Sequence, residues 1–139
     1  MFERLGGAEA RRAASAWFDG PSSETAGDYL RRCLPLYKRS ALDVAMVQRA
    51  LVNIEVPMAF FQGEWRTFDF LPVLHRIRCP TLVLGGDRDP VTPIEDGEDL
   101  ARALPAHLVR LERYAGCGHP VYEDDPACVD AIREFLAAV

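Results

Sequence analysis

The sequence predicts an α/β protein in which a helical segment, residues 1–67, precedes a two-stranded parallel βαβα unit, residues 68–139. Three observations lead there. Apolar residues in the first sixty positions recur at the three-and-four spacing of amphipathic helices. From residue 70 onward short apolar runs alternate with helix-length stretches, the pattern of strands joined by crossover helices. Two of those runs end in glycine-bearing turns, Gly85-Gly86-Asp87-Arg88-Asp89-Pro90 and Gly116-Cys117-Gly118-His119, which place polar side chains at the strands' carboxyl ends.

The first helix spans residues 8–18, with Ala10, Ala13, Ala14, Trp17 and Phe18 on one side, and Gly20-Pro21 stops it. Ser22 or Ser23 caps the next, which runs through Tyr29, Leu30, Cys33 and Leu34 until Pro35 ends it. A third fits residues 42–52, where Val44, Val47 and Leu51 are apolar and Asp43, Gln48 and Arg49 polar. The aromatic stretch Met58-Ala59-Phe60-Phe61-Gln62-Gly63-Glu64-Trp65, with Phe68 and Phe70 after it, is too apolar for a linker and must pack against something. A short helix is expected over residues 70–77, a buried strand over 81–84, a helix over 93–104 closed by Pro105, a second strand over 108–111 and a last helix over 125–138. No internal repeat or low-complexity segment interrupts them.

With 139 residues, 49% hydrophobic composition and a net charge of -5, the chain reads as one soluble globular domain. No apolar run approaches the length of a membrane span, and Met1-Phe2-Glu3-Arg4 lacks the build of a signal peptide. A cytoplasmic protein without membrane partners is expected. Cys33, Cys79, Cys117 and Cys128 are scattered, without zinc or redox spacing, so they are expected as free thiols with no metal. The basic residues are spread rather than gathered in a stripe, which argues against nucleic acid as a partner. No cofactor motif is present.

Asp89 and His119 have the chemistry of an acid and a base brought to one sheet edge. A buried carboxylate can fix an imidazole's tautomer and stabilise the imidazolium that forms when the base takes a proton. Pro90 and Pro93 stiffen the first turn, while Gly116 and Gly118 let the backbone turn sharply before His119. The two side chains are expected within or near hydrogen-bond reach. Asp87 is the competing acid. Taken alone, Asp89 before a proline is an ordinary turn starter, and His119 an ordinary loop histidine. Cys117, two residues before His119, would point elsewhere in an extended turn and is a poor nucleophile candidate; His75 and His107 read as surface positions. No Gly-x-Ser-x-Gly occurs, nor its cysteine or aspartate equivalent, so a nucleophile elbow is missing.

The run Cys79-Pro80-Thr81-Leu82-Val83-Leu84-Gly85-Gly86-Asp87-Arg88-Asp89-Pro90-Val91-Thr92-Pro93, with Ala115-Gly116-Cys117-Gly118-His119 downstream, resembles the C-terminal portion of α/β-hydrolase-fold enzymes, nearest the proline iminopeptidase-like branch. The likeness is strong over residues 68–139 and loose over 1–67. It implies a partial α/β-hydrolase fold, with residues 1–67 as cap helices and 68–139 as the last two strands of the core. It further implies Asp89 as the acid and His119 as the base of a Ser-His-Asp triad. Related aminopeptidases hold the substrate's amino group with cap carboxylates, which makes Glu64 a position of interest, although a solvated loop glutamate explains it as well. In the family the nucleophile elbow precedes the cap, and here the chain begins at the cap.

Two functions are therefore expected. The first is the acid–base arm of a serine hydrolase whose nucleophile half is a separate polypeptide or lost by truncation, with a small-molecule or peptide substrate only once completed. The second is a non-catalytic remnant that self-associates. Either way, the open sheet edge and the apolar faces carrying Trp17, Phe18, Phe60, Phe61 and Trp65 lead one to expect a homo-oligomer or a pairing with the nucleophile half.

Overall fold

The computed structural model describes residues 1–139 apart from Leu42, Val44, residues 46–48, Val52, Ile54 and the side chain of Arg66. The helix expected over residues 42–52 falls mostly outside the described residues. The chain divides into two compact units, Met1–Leu36 with Ser40–Phe68, and Tyr37–Arg39 with Asp69–Val139.

The first unit is helical. Helix α1, Phe2–Asp19, begins before the expected residue 8, but Gly7 breaks it with φ 73° and ψ -171°, a conformation outside the helical region that glycine tolerates. Helix α2, Ser23–Arg32, opens on a reciprocal cap: Thr25 N–H donates to Ser22 Oγ at 3.1 Å, and Ser22 N–H donates to Thr25 Oγ1 at 2.8 Å. A 3-10 turn at Leu34–Leu36 follows, where Pro35 was expected to end the helix. Small side chains let α1 and α2 approach closely, burying Ala10, Ala13, Ala14, Ala26, Tyr29 and Cys33.

Helix α3, Glu55–Gln62, and the 3-10 turn Glu64–Arg66 hold the aromatic stretch. Its rings pack partly on one another and partly stay exposed. Phe61 meets Trp17 edge-on at 5.3 Å and Trp65 at 5.2 Å, while Phe18 stacks on Trp65 at 6.0 Å. Trp17 retains only 6% of its exposure, whereas Phe60 and Trp65 keep 37% and 41%. Edge-to-face contacts thus bury Trp17 and shelter Phe18 and Phe61 in part, while Phe60 and Trp65 stay exposed.

In the second unit Leu71–Arg76 is a 3-10 helix, followed by strand β1, Thr81–Gly86, helix α4, Ile94–Ala103, strand β2, Val109–Tyr114, helix α5, Val121–Asp124, and helix α6, Ala127–Ala138. Strands β1 and β2 are parallel, with Thr81 opposite Val109 and Gly86 opposite Tyr114. Both run past their expected ends, because Gly85 and Gly86 continue the ladder opposite Arg113 and Tyr114; Arg110 and Glu112 share one face of β2 and pair with each other. The last helix begins two residues late, since Pro126 separates α5 from α6. Tyr114, Cys117, Val121 and Cys128 form the core, with Leu84 and Ile132 packed on it. Among the described residues, no helix is long and apolar enough to cross a membrane.

Candidate active site

The site grows out of a close approach between the ends of the two strands. A Cβ on Gly86 would fall 2.5 Å from the Gly118 carbonyl oxygen and nearer still to that of Cys117, so only glycine lets β1 end against the turn after β2. The turns are then tied together. Arg88 N–H donates to Cys117 O at 2.9 Å, and Asp87 Oδ1 accepts from Gly116 N–H at 2.6 Å. Gly116 has φ 75°, the left-handed conformation that glycine adopts without cost. Asp87, the competing acid, thus helps to build the turn, and it is Asp89 whose carboxylate lies 2.9 Å from His119 Nδ1.

Asp89 is 3% exposed, and both its carboxylate oxygens are used. Oδ1 accepts from the backbone N–H groups of Val91 at 2.7 Å and Thr92 at 3.0 Å. Oδ2 accepts from Thr92 Oγ1 at 2.7 Å and lies 2.9 Å from His119 Nδ1. An ionised carboxylate only accepts, so the network assigns the proton to Nδ1 and leaves Nε2 with a free lone pair. The imidazole keeps 41% of its exposure beside a carboxylate at 5%. This combination, a buried acid orienting a half-exposed base, can take a proton at Nε2 and stabilise the resulting cation.

The histidine turn is also held from behind by residues 37–39. His119 N–H donates to Tyr37 O at 2.7 Å, and the Tyr37 ring meets the imidazole edge-on at 5.6 Å. Asp124 bridges the two segments: its Oδ1 accepts from Arg39 N–H at 3.0 Å and its Oδ2 from Gly118 N–H at 2.8 Å. Lys38 Nζ pairs with Glu123 at 2.6 Å. None of Thr92, Tyr37 or Asp124 stands out in the sequence reading. Thr92 had a readable signal, three residues after an aspartate in a turn; the other two act across a distance that no local pattern reports.

The remaining sequence candidates lie elsewhere. Cys117 is 1% exposed, with its Sγ 3.8 Å from Ala115 O, and burial followed by the nearby Asp124 charge pushes its thiol up. Glu64 is exposed and belongs to the first unit, where its backbone carbonyl accepts from Thr67 and Phe68 N–H. His75 and His107 are exposed. Burial, reinforced by Asp28 and opposed by Arg32, pushes Cys33 up to about 11, and burial also raises Cys128. Since the thiolate is the reactive form, a thiol reagent at pH 8 is expected to label the exposed Cys79 quickly and Cys33, Cys117 and Cys128 only on unfolding. Peptide mapping after timed labelling checks this, and rapid labelling of Cys117 would return it to consideration as a nucleophile.

Comparison with known proteins defines the class. The profile of the alpha/beta hydrolase fold matches residues 56–126, just over half of the chain, and the chain belongs to that family. Within it the chain is similar to a proline iminopeptidase, being 32% identical over 107 residues to the proline iminopeptidase PfmaB of Pestalotiopsis fici, a match covering 73% of this chain and 37% of that protein. The crystal structure assigned to the non-heme bromoperoxidase BpoC of Mycobacterium tuberculosis aligns with a TM-score of 0.53 at 23% identity, over 93% of this chain and 51% of that one. That second likeness is one of fold. The chain spans roughly a third to a half of the length of these relatives.

Proposed function

We propose that the chain supplies the acid and base of a Ser-His-Asp hydrolase, Asp89 and His119, to a serine carried by a segment outside these 139 residues. The observation that carries this reading is the bond between the buried Asp89 carboxylate and His119 Nδ1 at 2.9 Å. In the reaction, His119 Nε2 takes the serine hydroxyl proton as the Ser Oγ–carbon bond forms and the carbonyl electron pair moves to oxygen. Collapse of that tetrahedral species expels the leaving group, which takes the proton from Nε2; water then repeats the cycle and releases the acid. Asp89 stays ionised throughout. The substrate is an ester or an N-terminal aminoacyl peptide, the latter supported by the likeness to a proline iminopeptidase. Four free thiols support a reducing compartment, the cytoplasm.

Incubation with p-nitrophenyl esters and aminoacyl anilides tests the reading. The chain alone is expected to show no turnover, because it offers neither a nucleophile elbow nor the oxyanion-hole donors that accompany one. Mixed or co-expressed with an α/β-hydrolase half bearing Gly-x-Ser-x-Gly, it is expected to restore turnover that His119→Ala abolishes. Turnover by the purified chain alone, or restored turnover that survives His119→Ala, overturns it.

The second reading, a self-associating non-catalytic domain, is favoured by the sheet: among the described residues β1 pairs only with β2, which leaves its other edge open to a further strand. Sedimentation equilibrium separates the two. A dimer at micromolar concentration that does not yield to the nucleophile half supports self-association.

A further inference from the structure

We infer that Thr92 is a positioning residue that reinforces Asp89 in holding the ring proton on Nδ1 of His119. Its side chain sits between the acid and the base, with Oγ1 2.7 Å from Asp89 Oδ2 and 3.3 Å from His119 Nδ1. A hydroxyl has one proton to give. At 2.7 Å from an oxygen that only accepts, that proton must lie toward Asp89, since a lone pair turned to the carboxylate at this distance would be repelled. The hydroxyl therefore presents only lone pairs to Nδ1. An Nδ1–H finds two acceptors there, Asp89 Oδ2 and Thr92 Oγ1, whereas an unprotonated Nδ1 would face lone pairs from both.

The same residue also fixes the carboxylate. Its backbone N–H holds Oδ1 at 3.0 Å while its hydroxyl holds Oδ2, so one residue grips both oxygens and sets the plane in which Nδ1–H approaches. Val91 N–H completes the grip on Oδ1. Because the Thr92 residue is exposed, its hydroxyl can be removed without opening a core cavity. Its role is to orient His119 through Asp89, in support of the proton transfer proposed above; the tautomer itself can be read without any turnover.

The test is nitrogen-15 NMR of the imidazoles in the full chain, with Thr92→Val and Thr92→Ser compared with the unsubstituted protein. The valine keeps the shape and loses the hydroxyl, while the serine keeps the hydroxyl. The His119 Nδ1 proton is expected to exchange with water about fivefold faster in Thr92→Val, corresponding to the loss of one hydrogen bond, and the minor Nε2–H tautomer to rise by about the same factor while Asp89 keeps Nδ1–H predominant. In Thr92→Ser both readouts are expected to stay at their original values. A Thr92→Val protein that melts normally and keeps the original tautomer and exchange rate overturns the inference, as does failure of serine to restore them. In the enzyme completed with a nucleophile half, Thr92→Val is expected to lower kcat with little change in KM. Absence of turnover in any completed form would count against the hydrolase reading and leave the NMR result on Thr92 standing.

Discussion

Gly86→Ala is expected to destabilise the second unit by about 3 kcal/mol, lowering its melting temperature by about 15 °C. The added methyl would meet carbonyl oxygens of Cys117 and Gly118, both backbone atoms in a turn tied to β1 and to residues 37–39. Backbone there cannot yield without breaking the Arg88 N–H to Cys117 O bond or the Gly118 N–H to Asp124 bond. Gly27→Ala is the matched control. Gly27 lies in α2 with nothing within 4 Å of the added Cβ, so the same change should stabilise that helix by roughly 0.5–1 kcal/mol. Thermal melts of the two variants followed by circular dichroism decide the matter; equal effects would mean that the strand end and the histidine turn are not in contact.

Asp89→Asn is expected to lose about 10,000-fold in kcat in the completed hydrolase while costing the fold about 2 kcal/mol. The carboxylate receives four hydrogen bonds, and an amide can accept at only one of its two ends. If the amide oxygen stays with Val91 and Thr92 N–H, the NH2 group faces Thr92 and His119. The imidazole then turns its unprotonated nitrogen to that NH2, and Nε2 carries the proton it should be ready to accept. Kinetics of the completed enzyme and the His119 tautomer in the chain alone are the two measurements. Unchanged turnover would remove Asp89 from the acid's role.

The part of the site that a reader of the sequence could locate is the part built by local chemistry. Asp89 was marked by the prolines that stiffen its turn, and His119 by the glycines before it; the order of strand, helix and strand placed both at one edge. Strand ends were harder to read. Gly85 and Gly86 look like a break because glycine weakens strands, yet they continue the ladder where two backbones must come close. The start of α1 was hidden by Gly7, and the aromatic stretch is only partly exposed, since rings of Phe18, Phe61 and Trp65 lie close enough for edge contacts while Phe60, Trp65 and Phe68 stay exposed. Tyr37 and Asp124 were invisible because their role depends on meeting across the chain, and neither sits in a pattern that marks it.

That meeting sets the order in which the protein can be assembled. The contacts of Lys38 with Glu123 and of Arg39 with Asp124 join positions 85 residues apart. During synthesis the early segment leaves the ribosome long before the residues that it will grip, and closing a loop of this length carries an entropic cost that local turns do not. Strand pairing and helix capping can proceed meanwhile, but the backing of His119 must wait for the C-terminal helices. Nascent chains that stop short of Asp124 would lack the carboxylate that ties Arg39 to Gly118, so the backing of His119 forms only once Asp124 has emerged.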